Sequence, residues 1–443
     1  MAATMSGTAR AGTLSETGIF SQFNAVIFGN FSTTSDVEGR TAVGGNLTGG
    51  ATFDLNPAGA ASSAFSALSV YRNATSGRSY NVNGADDVTI AGNNNVSFNL
   101  NGGGSAYVGG TNSGALSLSN GSGSLSVIGA NSGTLTLNSG GSVYLGAGTS
   151  GGGLNASGST AVQIQGNNGA NLNLNGGGTI ALAGSNNSTI SLNGGSLRYT
   201  GSQNGNLNLN GGATATKVSS LTLTAPTSTL GSFASTFQTQ LTALSTQLNG
   251  VAPNSNATTS NGSIAFNAAP NSSGVAVFDV NTSLFAPNST VTINVAGASS
   301  IIINVNVDSC VSNNCSFALP NSVNFSNPTG YAATVLWNFV NATNLTFSNG
   351  FGGSVLAPLA AVTNNGPIDG TLEAASFSGN GELHSHPYTG TFPGGASAQP
   401  APEPASLALI STGLVGLAAL RRRSAGNTRS RGLARSGRFV TRL

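Results

Sequence analysis

Few residues in this chain can do chemistry, and they fall in four short clusters. Cys310 and Cys315, the only cysteines, lie in DSCVSNNCS, a polar loop between two strand-like runs. In an oxidising compartment such a pair forms a small disulfide, and closing so short a loop stabilises less than closing a long one. A metal pair is the poorer reading, because no His lies nearby. Glu382, His384 and His386 alternate in ELHSH, which puts all three on one face of a strand. That set has the donors for a transition metal. The pattern is short and common, however, so we read it as surface or capping chemistry and expect no metal and no cofactor. Asp36, Glu38 and Arg40 alternate in the same way in TSDVEGR. A calcium or sugar site is within their chemistry, but an internal ion pair is the expected role. The fourth cluster is Pro402-Glu403-Pro404, followed by sixteen uncharged residues from Ala405 to Leu420 and then Arg421-Arg422-Arg423.

The rest of the composition offers little to a catalyst. Of 443 residues only 26 are formally charged, 14 basic and 12 acidic, or 6% against a usual quarter. Glycine supplies 64 residues, and there are two His. Between Val88 and Thr216 the one charge is Arg198. Polysaccharide lyases and hydrolases need grouped acids or bases to move protons, so an enzyme is not expected. The net charge of +2 misleads, since eight of the thirteen arginines lie in residues 421–443. Residues 1–420 hold 6 basic and 12 acidic groups, a net of −6, with no basic patch for nucleic acid. The apolar 38% is too high and too regularly placed for a disordered chain.

Those few groups must be positioned by a repeat. Phe98/Leu100, Leu116/Leu118, Leu135/Leu137, Leu172/Leu174, Ile190/Leu192 and Leu207/Leu209 are apolar-x-apolar pairs, with a degenerate copy at Leu154. Their first members are 18, 19, 19, 18, 18 and 17 residues apart. Gly110, Gly129, Gly148, Gly166, Gly184 and Gly201 keep nearly the same period, 19, 19, 18, 18 and 17. Two markers with one period imply stacked units. Each unit reads strand, Asn-Gly-Gly turn, strand, Gly-x-Asn turn, with the glycines supplying left-handed corners. This predicts a mainly β protein, a right-handed β-solenoid whose ~18-residue coils each carry two strands. Seven coils at ~4.8 Å per step make this part about 30 Å long. Asn101, Asn138, Asn175, Asn193 and Asn210 at the first corner are expected to stack as an amide ladder. We read that ladder as turn chemistry rather than as a ligand-presenting array. A calcium-binding β-roll is excluded because the repeats contain no Asp.

After the repeats the period changes. Leu230, Phe233, Phe237, Leu241, Leu244 and Leu248 follow the stripe of an amphipathic helix, expected over 228–249 with Ser228 or Thr229 as cap. It should cover one apolar face of the solenoid. Alternating strands return over 274–392 and close the body. The expected organisation is therefore a polar segment 1–17, a β body 18–392 with repeats 96–212, a linker 393–401, a tail signal 402–423 and an Arg-rich end 424–443. The apolar run 405–420 extends ~24 Å as a helix, short of the ~30 Å bilayer core. Arg421, Arg422 and Arg423 predict a cytoplasmic end for this C-terminal hydrophobic membrane helix. Residues 1–22 contain no apolar leader core, so an export leader is expected upstream of Met1.

Pro402-Glu403-Pro404, the Gly-containing apolar run and the arginine cluster resemble the PEP-CTERM sorting signal of exosortase-bearing Gram-negative bacteria. The body resembles the choice-of-anchor A domain, through FNAVIFGNFSTTSDVEGRTAVGGNL at residues 23–47 and through two segments within 335–390. The resemblance implies cutting near Pro402-Glu403-Pro404 by a membrane exosortase, after transient inner-membrane retention. It also implies a surface or matrix location and an adhesive role. It brings over no catalytic residue. Twenty residues follow Arg423, which departs from the usual prompt ending. The expected function is a non-enzymatic exported protein adhering to polysaccharide or neighbouring cells. Ice or carbohydrate binding by the solenoid face is the alternative, although outward positions such as Asn99, Ser117, Thr136, Asn155 and Asn173 are too mixed for a regular Thr lattice.

Overall fold

Each apolar-x-apolar pair from Phe98/Leu100 to Ile190/Leu192 becomes a short strand with its apolar members buried and its middle residue facing outward, as in Phe98–Leu100, Leu116–Leu118 and Leu135–Leu137. The last pair also forms a strand, but at the end of its sheet Leu207 is only half-buried and Leu209 is exposed. In the computed structural model, which describes residues 14–393 apart from 76–77, 229 and 231–233, these strands pair in parallel and in register. Leu116 therefore sits on Leu135, and Leu154 on Leu172. Like side chains stack along the coil interior, which is the arrangement of a β-solenoid. The chain divides at Gly394/Gly395 into two units. The expected linker beyond residue 393, the sorting residues, the membrane run and the Arg-rich end lie outside the described residues, as do residues 1–13.

The coils have three sides rather than two strands joined by two turns. A broad sheet carries the second strand of every unit, from Ala106–Val108 to Thr214–Lys217. A polar-faced sheet carries the first, from Thr52–Phe53 to Leu207–Asn210. The third side is a line of single-residue bridges joining Asn94, Asn112, Asn131, Thr149, Asn168, Asn186 and Gln203. The buried Asn ladder lies here and not at the first corner. Asn94 Nδ2 donates to Asn112 Oδ1 at 2.7 Å, and Asn112 Nδ2 to Asn131 Oδ1 at 2.7 Å. These asparagines are 0–1% exposed. Each also closes its own corner, for example from Asn112 Nδ2 to the Gly114 carbonyl at 3.0 Å. At the first corner, Asn101 makes no buried side-chain bond: it donates to Asn83 Oδ1 in an exposed bond and accepts from Ser119 Oγ in a part-buried one at 3.4 Å.

The two glycine series answer to different needs. First-corner glycines such as Gly177 and Gly195 have positive φ, +77° and +86°. In the second series only Gly148 does. There the requirement is close approach: a Cβ on Gly184 would lie 2.4 Å from the Gly166 carbonyl oxygen.

Stack order does not follow chain order. Ala25–Ile27 pairs on one edge with Thr41–Val43 and on the other with residues 372–374. The closing strands 275–379 thus stack on the N-terminal coil, on the side away from the repeats. Phe31 stacks on Phe377 across this seam with centroids 5.0 Å apart. Asn24 Nδ2 binds the carbonyls of Gly370 and His384. The interior is aromatic in the closing coils, where Trp337 is fully buried and donates from Nε1 to the Gly352 carbonyl at 2.8 Å. It narrows to Leu, Ile and Val in the repeats.

Two helices cover the outside of the broad sheet around the seam. The first, α1 (Glu16–Gln22), had no expected counterpart; Ser15 caps it, its Oγ accepting from Gly18 N, and Ile19 and Phe20 are buried. The second, α2 (Ala234–Asn249), starts later than the expected 228–249, with Leu230 half-buried ahead of it. Phe237, Leu241, Leu244 and Leu248 pack on Val26, Ala42, Leu336 and Leu356. A buried polar network sets its position: Ser245 Oγ donates to Asn338 Oδ1, Asn338 Nδ2 to Asn304 Oδ1, and Asn304 Nδ2 to the Leu248 carbonyl.

Candidate functional site

The outward side of the polar-faced sheet is a grid. Register places Asn81, Asn99, Ser117, Thr136, Asn155, Asn173, Ser191 and Asn208 in one line along the solenoid. Rungs repeat at ~4.8 Å, and alternate residues along a strand at roughly 6.7 Å. Neighbouring rungs share side-chain bonds, from Asn99 Nδ2 to Asn81 Oδ1 at 3.1 Å and from Asn208 Nδ2 to Ser191 Oγ at 3.1 Å. An amide has two N–H donors and an oxygen with two lone pairs, so one rung-to-rung bond leaves capacity for a ligand. Arg198, the lone charge between Val88 and Thr216, lies on the broad sheet, paired in register with Ala181 and Thr216.

Followed towards the seam, the same lines become charged. His384 Nδ1 lies 2.6 Å from Asp369 Oδ1, and His384 Nε2 lies 2.9 Å from Glu382 Oε2. Burial works against the imidazolium, but the bonds to Asp369 and Glu382 outweigh it and raise the pKa above its ordinary value. Glu382 and His384 are thus brought together, with an Asp369 that sequence alternation did not reveal. His386 is not brought to Glu382; its Nε2 is 4.0 Å from Asp369. The strand Leu383–His384 is two residues long, so the period expected to align Glu382, His384 and His386 ends before the last of them. Among the described residues, no three His, Cys, Asp or Glu are placed to hold a metal. An open depression of about 450 Å³ beside them is lined by Glu38, Asn56, His384, His386 and Pro387.

Asp36, Glu38 and Arg40 do not form the expected internal pair. Asp36 Oδ1 accepts from Thr52 N and Glu38 Oε2 from Ser385 N. Arg40 pairs with Asp86 and donates to the Phe65 and Gln22 carbonyls. Strict alternation holds only along one straight strand, whereas Val37 makes only single-residue bridges and the chain turns before Thr41. Nearby Asp54 is 3% exposed, in the left-handed region at φ +53°. Burial, then the charge of Asp86, raise its pKa to about 6 against a lowering by Arg40.

Two further features complete the surface. Cys310 and Cys315 are joined by a disulfide across an antiparallel hairpin whose Val311 is 76% exposed. At the closing end, a groove of about 840 Å³ is lined by Ser, Asn and Thr residues, with Asp279 beside it.

A family model described as "Putative Ice-binding-like adhesive domain" matches residues 16–134 and 129–385. The chain belongs to this family. A second model, the PEP-CTERM protein-sorting motif, matches residues 400–423. The adhesive domain and the sorting motif together mark an exported, cell-surface protein, and the family points away from catalysis. Solved structures similar to the chain include a domain titled as a possible adhesin C-terminal domain from Caldicellulosiruptor kronotskyensis, with 14% identity over 86% of this chain and 94% of that one and a TM-score of 0.22. Another is an ice-binding protein from an Antarctic Flavobacteriaceae bacterium, with 13% identity over 84% and 97% and a TM-score of 0.21. No curated protein matches the chain.

Proposed function

We propose that the protein is an exported surface adhesin of the choice-of-anchor A type whose polar grid holds neutral polysaccharide of the matrix or of neighbouring cells. The observation that carries this reading is the grid itself: eight aligned amide and hydroxyl rungs on a rigid sheet, without a charge between Val88 and Thr216 except Arg198 on another side. A rigid array of neutral donors and acceptors suits polyhydroxyl chains, because each hydroxyl can exchange bonds with water for bonds to a preorganised amide. The body (18–392), the linker (393–401), the signal (402–423) and the Arg-rich end (424–443) divide the work. In a Gram-negative host the run 405–420 holds the chain in the inner membrane, Arg421, Arg422 and Arg423 stay cytoplasmic, and an exosortase cuts at Pro402-Glu403-Pro404.

Pull-down on insoluble neutral glucan, with Thr136→Arg and Asn173→Arg as grid variants, tests the adhesive part. Loss of retention in the variants is expected, while equal retention would remove the grid from the function. Mass analysis of the exported protein in an exosortase host tests the sorting part. The C-terminal segment should be missing, and Pro402-Glu403-Pro404→Ala-Ala-Ala should restore it. Ice binding is a second reading that the same flat grid and the family's description favour; inhibition of ice recrystallisation, lost in the Arg variants, would select it.

A further inference from the structure

Glu373 is the carboxyl with no exposure at all among the described residues. Its neighbours in the strand, Leu372 and Ala374, point into the coil. Alternation turns Glu373 outward on the broad sheet, in register between Leu356 and Val26. An outward residue ordinarily meets water, but here Leu356 and Val26 belong to the apolar layer sealed beneath α1 and α2. Neither carboxyl oxygen has a hydrogen-bond partner.

Among the described residues no charge compensates it. Residues 234–249 of α2 contain no titratable group, and neither do the flanking strands Ala25–Ile27 and Ser354–Asn364. On α1 the only one is Glu16, in the first turn. Arg40 is committed to Asp86 and two carbonyls. Asp279, on the strand Val275–Asn281, is exposed and accepts from Asn306. Tyr388 is bonded to Ser300, and burial raises the pKa values of Tyr71 and Tyr388, keeping both neutral. Burial alone pushes Glu373 well above the usual carboxylate range.

We propose that Glu373, in the layer beneath α1 and α2, is a proton-operated latch on the first turns of α2. Protonated, it is a tolerated neutral guest in the apolar layer. Ionised, it must reach water, because an unpaired carboxylate in such a site costs several kcal/mol. The two ends of the helix differ in how they are held. Ser245 and Leu248 are tied to Asn338 and Asn304 by bonds that do not titrate. Phe237 is held by edge contacts to Phe23 and by Phe65. Ionisation therefore lifts the first turns of α2 and uncovers these rings, while the last turns stay attached.

The test follows binding of an apolar dye (ANS) by the full chain from about pH 6 to about pH 9.5, below the range where buried tyrosines ionise. The wild type should gain fluorescence several-fold in one sigmoidal step, with helical circular dichroism largely kept. Glu373→Gln and Glu373→Met should both stay flat; the methionine variant serves if the buried amide prevents folding. A flat wild-type curve, or an equal rise in the Met variant, overturns the latch.

Discussion

The repeat section and the seam are built on the same three-sided coil and solve opposite problems. In the repeats, each coil contacts its sequence neighbours, and Leu172 lies on Leu154 and Ile190. The seam joins residues 24–54 to residues 364–386, more than three hundred positions away, as when Ala25 pairs with Leu372. Titratable groups are nearly absent from the first and concentrated in the second. Local stacking needs only an interchangeable rung. A join between distant segments needs partners that no other rung could imitate, such as Asn24 Nδ2 on the carbonyls of Gly370 and His384 and Glu38 Oε2 accepting from Ser385 N.

The largest effects should separate the two regions. Leu174 is fully buried, so Leu174→Asp would place an unpaired charge inside a coil at a cost of about 5 kcal/mol. Because repeat stability is roughly nearest-neighbour, hydrogen exchange should quicken in coils near residue 174 while the seam strands 25–27 and 372–374 stay protected. Phe377→Ala removes the ring stacked on Phe31 and should cost about 3–5 kcal/mol. Its protection should fall across the whole body. Uniform loss in both variants would mean that the repeats and the seam unfold as one unit.

How much of this was legible in advance follows the same division. The period of Leu116, Leu135 and Leu154 is local, and it located the coils. The buried ladder is equally legible, since Asn94, Asn112 and Asn131 recur at 18 and 19 residues, but the Asn-Gly-Gly turns make the exposed first-corner asparagines the more conspicuous series. Stack order was not available, because nothing local in FNAVIF specifies residues 372–374 as a partner. Glu373 shows the limit most clearly. In GTLEAASF it reads as an ordinary outward strand residue, and only the docking of the helix layer, α1 with α2, converts outward into buried. Asp369 was missed for a related reason: it meets His384 through a neighbouring coil, not along its own strand.

Within the repeats, the next largest effect belongs to the ladder. Asn112 donates to Gly114 and Asn131 and accepts from Asn94. Asn112→Ala strands those buried groups and should cost about 2–3 kcal/mol by denaturant titration. Asn101→Ala, at the exposed first corner, should cost under about 0.5 kcal/mol. Equal costs would put the structural ladder back at the first corner.

The regions should also differ in their response to pH. Asp54 is raised from 3.8 to about 6, so the folded state holds its proton more tightly, and stability falls as pH climbs between those values. His384 is raised as well: its contribution is complete below its unfolded pKa of 6.5 and is lost as pH rises through the folded value. Both slopes have the same sign. Asp54→Asn, which tolerates the left-handed backbone, should raise stability near pH 7 by ~1–2 kcal/mol after allowance for solvent screening around the half-exposed Asp86, and change little near pH 4. His384→Ala should cost ~1 kcal/mol near pH 5.5 and less at pH 8. Exchange protection of the repeats should show no matching dependence, and a shared pH profile would contradict the division.

One small expected effect is a gain. Thr149 occupies a ladder position held by Asn in most other coils and is bridged to both Asn131 and Asn168. Its hydroxyl reaches Asn131 Nδ2 at only 3.5 Å and spends its own proton on the Gly151 carbonyl at 3.3 Å. The ladder therefore weakens at this rung, whereas Asn168 donates to Asn186 at 2.6 Å one coil further on. Thr149→Asn supplies both an acceptor for Asn131 and a second N–H for Asn168. Backbone conformation poses no obstacle, since Thr149 has no positive φ. Two improved buried bonds, offset by the ordering of a longer side chain, should add about 0.5–1 kcal/mol. About half of the gain should be lost when Asn131→Ala is introduced alongside, because the new amide oxygen then has no donor to receive while its N–H still serves Asn168. A double-mutant cycle in denaturant reads that coupling directly, and additive effects would show that the rungs act independently rather than as a ladder.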